Sequence, residues 1–165
     1  MAGGKGSRMG DNKKMLLKIN SEPVLYKIIA SLKDLGFIVK ICISKGTEFL
    51  SDTEEVEIIT GTGTYSEDLK YSLKLCSIPA LVLPGDVIFS EKLLKNFIEL
   101  SGTVSTDIAT LKINGELSGI SMFFKRPENG ELSYTDIEMQ DNSFFNLNYK
   151  EDYIKAQEYL IGNSI

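Results

Sequence analysis

Short apolar runs alternate with helical periodicity along this chain, and that alternation narrows its fold more than any other feature. Val24, Ile28, Leu32 and Leu35 share one face of a predicted helix over residues 23–35, with Gly36 as its stop. Residues 38–44 read as a buried strand and residues 56–60 as a second. Leu69, Leu73 and Cys76 line one side of a helix over residues 66–76. Ala80-Leu81-Val82-Leu83 is a continuous apolar strand ended by Pro84-Gly85. Ser90 caps a helix over residues 91–100, stopped near Gly102. Residues 108–113 and 117–124 read as two strands around Asn114-Gly115, a strong hairpin signal. A short strand over 144–147 precedes a final helix over 151–161, with Asn148 and Glu151 in the spacing of a cap. The polar stretch from Arg126 to Ser143 reads as a loop, either closing over a substrate or a solvated excursion.

Strands that alternate with helices imply a three-layer α/β fold, a mostly parallel sheet with helices on both faces. The hairpin adds an antiparallel neighbour. A chain of 165 residues suits one domain, 1–165, with a sizeable core. No apolar run approaches the roughly 20 residues of a membrane span, and no apolar signal segment opens the chain. A net charge of −5 argues against nucleic acid as the main partner, so a phosphate site would be a local basic island. Cys42 and Cys76 read as reduced, largely buried thiols of a cytoplasmic protein. The chain contains no histidine, which removes histidine bases and ligands. Any metal then binds oxygen, which favours magnesium.

The first ten residues carry the clearest chemistry. Gly3, Gly4, Gly6 and Gly10 sit among Lys5, Ser7 and Arg8. Glycine lets backbone N–H groups approach a ligand closely, and the basic residues then face an anion. The pattern points to a polyphosphate cradle; the plain alternative is a flexible N-terminal tail. It is not a Walker A loop, because Lys5 is followed by Gly6. Nor is it G-x-G-x-x-G read from Gly4, because position 9 is Met9.

Two further landmarks lie downstream. The strand ending in Leu83-Pro84-Gly85-Asp86 places a carboxylate at the carboxyl end of the sheet, where open α/β sheets bind ligands. Such a carboxylate can hold magnesium, unless it is only a turn residue after Pro-Gly. The stretch from Thr60 to Leu69 links strand to helix through Gly61, Thr62, Gly63 and Thr64. It can bring backbone groups against a base or ribose. It also reads as an ordinary turn, with Ser66 as cap and Glu67 and Asp68 complementing the helix dipole.

The opening stretch from Ala2 to Met9, followed by Lys14, Leu16 and Leu17, resembles the loop of the nucleotidyltransferases that use GTP or form sugar nucleotides. Met15 stands where that family has Pro, and Ser21 where it has Gly. Tyr65-Ser66-Glu67-Asp68-Leu69, the segment from Asn114 to Ile120, and Phe145-Asn146-Leu147-Asn148 with Glu151-Asp152 extend the likeness over nearly the whole chain. Together they resemble the archaeal-type adenosylcobinamide-phosphate guanylyltransferases, within the molybdenum-cofactor guanylyltransferase-like superfamily. The resemblance implies a Rossmann-like nucleotidyltransferase fold. It also implies a buried strand ahead of the glycine loop. Only two residues precede Gly3, so that first strand is expected to be missing from this numbering.

The implied reaction is guanylyl transfer from GTP to adenosylcobinamide phosphate with release of pyrophosphate. A phosphate monoester is mostly ionised near neutral pH, so it needs no histidine base. Arg8, Lys14 and Asp86 are the expected catalytic residues, with Asp86 holding Mg2+. Ala2, Gly3, Gly4, Lys5, Gly6, Ser7, Arg8, Lys14, Gly63, Thr64, Asp86 and Gly119 are the expected nucleotide contacts. Lys13 competes with Lys14 for its role, and a hairpin bulge would account for Gly119 equally well. Asp136, Glu138 and Asp141 are weaker candidates for a second metal ligand. The expected partners are GTP and a phosphorylated acceptor, with neither nucleic acid nor a membrane span, and a homodimer stays open. Two alternatives remain: a molybdenum-cofactor guanylyltransferase or other small-molecule nucleotidyltransferase, and a nucleotide-binding module without catalysis.

Overall fold

The computed structural model describes residues 14–43, 47, 50, 56–62, 64–128 and 130–162. A single 3-10 turn, Lys14–Leu16, leads into β1 (Lys18–Ile19) and β2 (Glu22–Pro23), which pair as a tight antiparallel hairpin. Asn20 and Ser21 make its turn with φ of 51° and 71°. Two left-handed residues match the twist of a hairpin, so Ser21 takes the conformation that glycine would adopt more cheaply. Helix α1 (Val24–Asp34) follows, one residue inside its predicted limits at each end.

Strands β3 (Lys40–Ile43) and β4 (Glu57–Thr60) form a parallel pair. Ile38 lies outside β3 and is 90% exposed, so the strand starts later than its apolar run suggests. Helix α2 (Tyr65–Lys74) leads to β5 (Ala80–Val82) and then to β6 (Val87–Ile88), a strand too short for periodicity to reveal. Helix α3 (Glu91–Ser101) begins as expected, with the Leu93 N–H donating to Ser90 Oγ at 3.2 Å. The predicted hairpin is present as β7 (Ile108–Ile113) and β8 (Glu116–Phe123), turned by Asn114 and Gly115.

The stretch 126–143 departs from the loop reading, because it contains β9 (Tyr134–Met139), parallel to β7. Tyr134, Asp136 and Glu138 are exposed while Thr135, Ile137 and Met139 are partly buried. Such a charged outer face is how an edge strand is protected from further pairing, and it hides the strand from a search for apolar runs. The resulting sheet runs β5-β8-β7-β9. Strand β10 (Phe145–Asn146) pairs antiparallel with β6, and α4 (Lys150–Gly162) closes the described chain. The start of α4 departs from the expected Asn148–Glu151 cap. The Asp152 carboxylate accepts the N–H groups of Asn148 and Tyr149, at 3.1 and 2.8 Å.

Two apolar clusters meet at α1. Its Val24, Ile28 and Leu32 pack into the larger one, around Phe97, Leu111 and Ile120. Its Leu25 and Ile29 enter the smaller one, with Met15, Ile41, Ile43 and Leu50. Cys42 is buried and Cys76 half-buried, and neither is in a disulfide.

Gly119 shows how tightly β8 meets the end of β5. It adopts a φ of +79° beside a register shift in the β7–β8 pairing, and a Cβ built on it would lie 2.8 Å from Pro84 Cγ. Gly119→Ala therefore combines a left-handed side chain with a clash, and should cost about 2–4 kcal/mol. Urea unfolding measures this; a loss below about 1 kcal/mol would mean that the Pro84 turn gives way freely.

Candidate active site

The 3-10 turn is fixed from beneath by Met15, which is 4% exposed and belongs to the smaller core. The residue that departs from the resembled pattern is therefore an apolar anchor. Leu17 closes the turn, its N–H donating to the Lys14 carbonyl at 3.1 Å, and the Val24 N–H donates to the Leu17 carbonyl at 3.0 Å. From across the molecule, the Tyr153 hydroxyl of α4 donates to the Lys18 carbonyl at 2.7 Å. Lys14 thus leaves a turn held from three sides.

Its ammonium forms an ion pair with the Asp86 carboxylate. Both side chains are largely shielded, at 18% and 13% exposure. Asp86 follows β5 through Leu83-Pro84-Gly85 and precedes β6, so it sits at the carboxyl end of β5. The Leu147 N–H donates to the Asp86 carbonyl at 3.0 Å, fixing its main chain to β10. Two expected site residues 72 positions apart are therefore in direct contact.

The Thr60–Thr64 segment is organised by a residue whose importance the sequence reading missed. Asp68 was expected only to complement the dipole of α2, yet it is 3% exposed. Its Oδ1 accepts the Thr62 N–H at 2.5 Å and the Thr62 hydroxyl at 3.1 Å. A Cβ at Gly61 would lie 2.4 Å from that carboxylate, so the loop can wrap it only because residue 61 is glycine. The cap of α2 also differs from the Ser66 reading. Thr64 is the capping residue, its hydroxyl donating to Glu67 at 2.5 Å. The legible signal was a glycine seven residues ahead of an aspartate in the first helical turn.

Gly119 lies against Pro84, two residues before Asp86, and its freedom is used by that contact and the strand irregularity. Asp136, Glu138 and Asp141 are engaged around the β7–β8 hairpin. Asp136 lies 3.7 Å from Lys112, Glu138 accepts the Gly115 N–H at 2.7 Å, and Asp141 accepts the Ser143 N–H at 2.6 Å. Pairing of β10 with β6 instead brings Asn146 opposite Val87, next to Asp86. Ala2, Gly3, Gly4, Lys5, Gly6, Ser7, Arg8, Lys13 and Gly63 lie outside the described residues.

Among the described residues, no three acidic or thiol side chains converge on a metal position. The donor chemistry at Asp86 still suits magnesium, which commonly takes one or two carboxylates and completes its shell with phosphate oxygens and water. The Lys14 ammonium already shows that a cation is accommodated there. No helix among the described residues is long and apolar enough to cross a membrane.

Comparison with known proteins gives one family match and several structures of similar fold. The family profile described as "MobA-like NTP transferase domain" matches residues 1–132. Among curated proteins, no sequence matches. The fold is similar to that of HddC from Yersinia pseudotuberculosis, with a TM-score of 0.74, 18% identity and 96% of each chain covered. It is also similar to Rv0371c from Mycobacterium tuberculosis in its complex with manganese, at TM-score 0.63 and 12% identity, covering 88% of this chain and 91% of that one. The inositol-1-phosphate CTP transferase from T. maritima is similar at TM-score 0.66 and 13% identity, covering 99% of this chain and 95% of that one. These likenesses agree on a Rossmann-like α/β nucleotidyltransferase fold.

Asp68→Ala should release Thr62 and destabilise the protein by about 1–3 kcal/mol. Chemical denaturation should show that loss, and amide exchange at Thr62 should accelerate by roughly tenfold or more. Unchanged exchange at Thr62 would mean that the loop is held by something other than Asp68.

Proposed function

This chain belongs to the MobA-like NTP transferase family, and we propose that it transfers a nucleoside monophosphate from a nucleoside triphosphate to the phosphate of a small-molecule acceptor. The observation that carries this reading is the contact of Lys14 with Asp86 at the carboxyl end of β5. A shielded cation and a hard-oxygen ligand side by side suit a polyphosphate with its magnesium. Among the similar structures, one is an inositol-1-phosphate CTP transferase and another holds manganese, which supports a phosphorylated acceptor and a divalent metal.

In this reading, backbone N–H groups of Gly3, Gly4 and Gly6 hold the triphosphate, with Ser7 and Lys5 beside them. Thr64 and the Gly63 backbone face the base and ribose. Arg8 and Lys14 neutralise charge on the α-phosphoryl group and on the departing pyrophosphate. Asp86 would hold Mg2+, which would supply charge neutralisation for the phosphates. The acceptor phosphate oxygen attacks the α-phosphorus, a new P–O bond forms, and the bond to the β-phosphate oxygen breaks as pyrophosphate leaves. No side chain need remove a proton, because the acceptor phosphate is already ionised. Catalysis then rests on alignment and charge.

GTP is the favoured nucleotide and adenosylcobinamide phosphate the favoured acceptor, on the resemblance of the opening loop, the segment from Asn114 to Ile120 and the Phe145–Asn148 stretch. The family match and the similar structures give more support to the broader alternative, a molybdenum-cofactor guanylyltransferase or other small-molecule nucleotidyltransferase. The reaction suits an enzyme of the cytoplasm, where nucleoside triphosphates are abundant.

A thermal-shift panel of the four ribonucleoside triphosphates with Mg2+ should show selective stabilisation by one of them. Ligand at about 100 times its Kd contributes roughly 2.7 kcal/mol. GTP is the expected winner, and a shift by CTP alone would reassign the base. Pyrophosphate release, measured with cobinamide, inositol and pterin phosphates in turn, then identifies the acceptor. Tight binding without release for any acceptor would favour the non-catalytic module.

Asp86→Asn should lower kcat by about a hundredfold or more, and it should also lower the unfolding midpoint, because it leaves the shielded Lys14 ammonium without its partner. Lys14→Gln should do the same with a weaker dependence on Mg2+ concentration. Turnover near that of the parent in Asp86→Asn removes the carboxylate from the mechanism.

A further inference from the structure

Strand β8 lies between β5 and β7 and meets β7 in two registers. The pairing runs evenly from Ile108 opposite Phe123 to Thr110 opposite Ser121, then resumes two residues out of step with Lys112 opposite Leu117. Ser118, Gly119 and Ile120 therefore face Leu111 alone. Extra residues of this kind leave backbone groups without ladder partners unless something else takes them. Here a side chain does. The Ser118 hydroxyl donates to the Leu111 carbonyl at 2.7 Å and accepts the Ile120 N–H at 3.0 Å. Ser118 is 1% exposed and both neighbours are fully buried, so water has no access to either bond.

The bulge lies where β5 ends. Strand β5 pairs with β8 as far as Val82 opposite Ser121. That register, carried two residues further, sets Pro84 opposite Gly119, and the two are in contact. A Cβ built on Gly119 would lie 2.8 Å from Pro84 Cγ. Asp86 follows two residues after Pro84, and from its other side the Leu147 N–H donates to its carbonyl. The segment from Pro84 to Asp86 is thus held from two sides, by the bulge of β8 and by β10.

We propose that Ser118 is a positioning residue for the Asp86 carboxylate, a role that rests on the reading of Asp86 as the metal-holding group. The Ser118 hydroxyl closes the bulge, the bulge sets Gly119 against Pro84, and Pro84 fixes the turn that carries Asp86 to Lys14. Without that hydroxyl, the Leu111 carbonyl and the Ile120 N–H each lose a buried partner, a cost that the bulge relieves by opening. Gly119 then withdraws from Pro84, and the turn is left to β10 alone. Ser118 acts through Gly119 and Pro84 rather than on the reacting groups. A metal ligand whose support loosens in this way binds its ion less tightly, although every ligand atom is still present.

Ser118→Ala is compared with the parent chain, with Pro84→Ala and with Ser101→Ala. Ser101 is likewise buried, and its hydroxyl donates to the Phe97 carbonyl at 2.7 Å in α3, so it controls for the loss of a buried hydroxyl. Amide exchange is read at Leu147, whose N–H reports on the Asp86 carbonyl, against the amides of α3 in the same sample. Ser118→Ala should speed exchange at Leu147 by about tenfold more than in α3. Mn2+ affinity, read by water-proton relaxation with each ribonucleoside triphosphate in turn, should fall by about tenfold. Ser101→Ala should show neither effect. Pro84→Ala should show both, and combining it with Ser118→Ala should add little, because the two act through one contact. Equal exchange at Leu147 and in α3, the same effects in Ser101→Ala, unchanged Mn2+ affinity, or additive losses in the double variant would overturn the proposal. Should Ser118→Ala not fold, Pro84→Ala carries the test, since it removes the ring and keeps both bonds of the hydroxyl; no change at Leu147 then overturns it. The exchange measurement needs neither metal nor nucleotide. If the parent chain itself binds no Mn2+, the metal reading of Asp86 fails and takes the role of Ser118 with it, and an intact exchange pattern shows that the failure lies in that reading.

Discussion

A single ammonium–carboxylate contact, Lys14 to Asp86, ties the Lys14 turn to the carboxyl end of β5. The arrangement depends on how each partner is held. Met15 plugs the Lys14 turn into the smaller core, and α4 reaches back to the next strand through Tyr153. Asp86 is held by β6 and β10, with Val87 and Leu147 fully buried on either side of that junction. Two apolar anchors therefore aim two charges at each other. Shielded as they are, the charges interact more strongly than a surface pair would, and each keeps the other from standing alone in a poorly hydrated place.

The second carboxylate of the region works differently. Asp68 spends its acceptor capacity on Thr62, and Gly61 makes room for it. It gives shape to the Thr60–Thr64 segment without offering an open ligand position. Two aspartates at the starts of neighbouring segments thus have unlike environments. One faces a mobile type of partner, a lysine side chain, and the other faces main chain. Only the first suits exchange of partners during a reaction.

The alternation of periods made α1, α3 and the β7–β8 hairpin legible, because each carries an apolar stripe and its own stop or turn residues. Asp86 was legible for a related reason: an apolar run ending in Pro-Gly-Asp places a carboxylate at a strand end with little freedom. Strand β9 was hidden by its exposed Tyr134, Asp136 and Glu138, which protect an edge and read as a solvated loop. Strand β6 was too short to carry a period. Asp152 rather than Glu151 takes the Asn148 and Tyr149 N–H groups at the start of α4, because two acidic residues stand within one turn there and only the folded backbone selects between them. Asp68 escaped for the converse reason. An acidic residue in a first helical turn has a sufficient local explanation, and nothing local says that it is buried.

A chain of net charge −5 without histidine can still handle a triphosphate if its cations are placed by structure rather than by excess. Most of its described lysine contacts are surface pairs such as Lys95 with Glu91 or Lys27 with Glu22, which contribute little and attract no polyanion. Lys14 is different because its partner is buried with it and because both lie where strand ends open. Leu83, Pro84 and Gly85 lead from β5 into Asp86, and Gly119 lets β8 come close to Pro84, so packing beneath that turn and the placement of the charge after it are one problem.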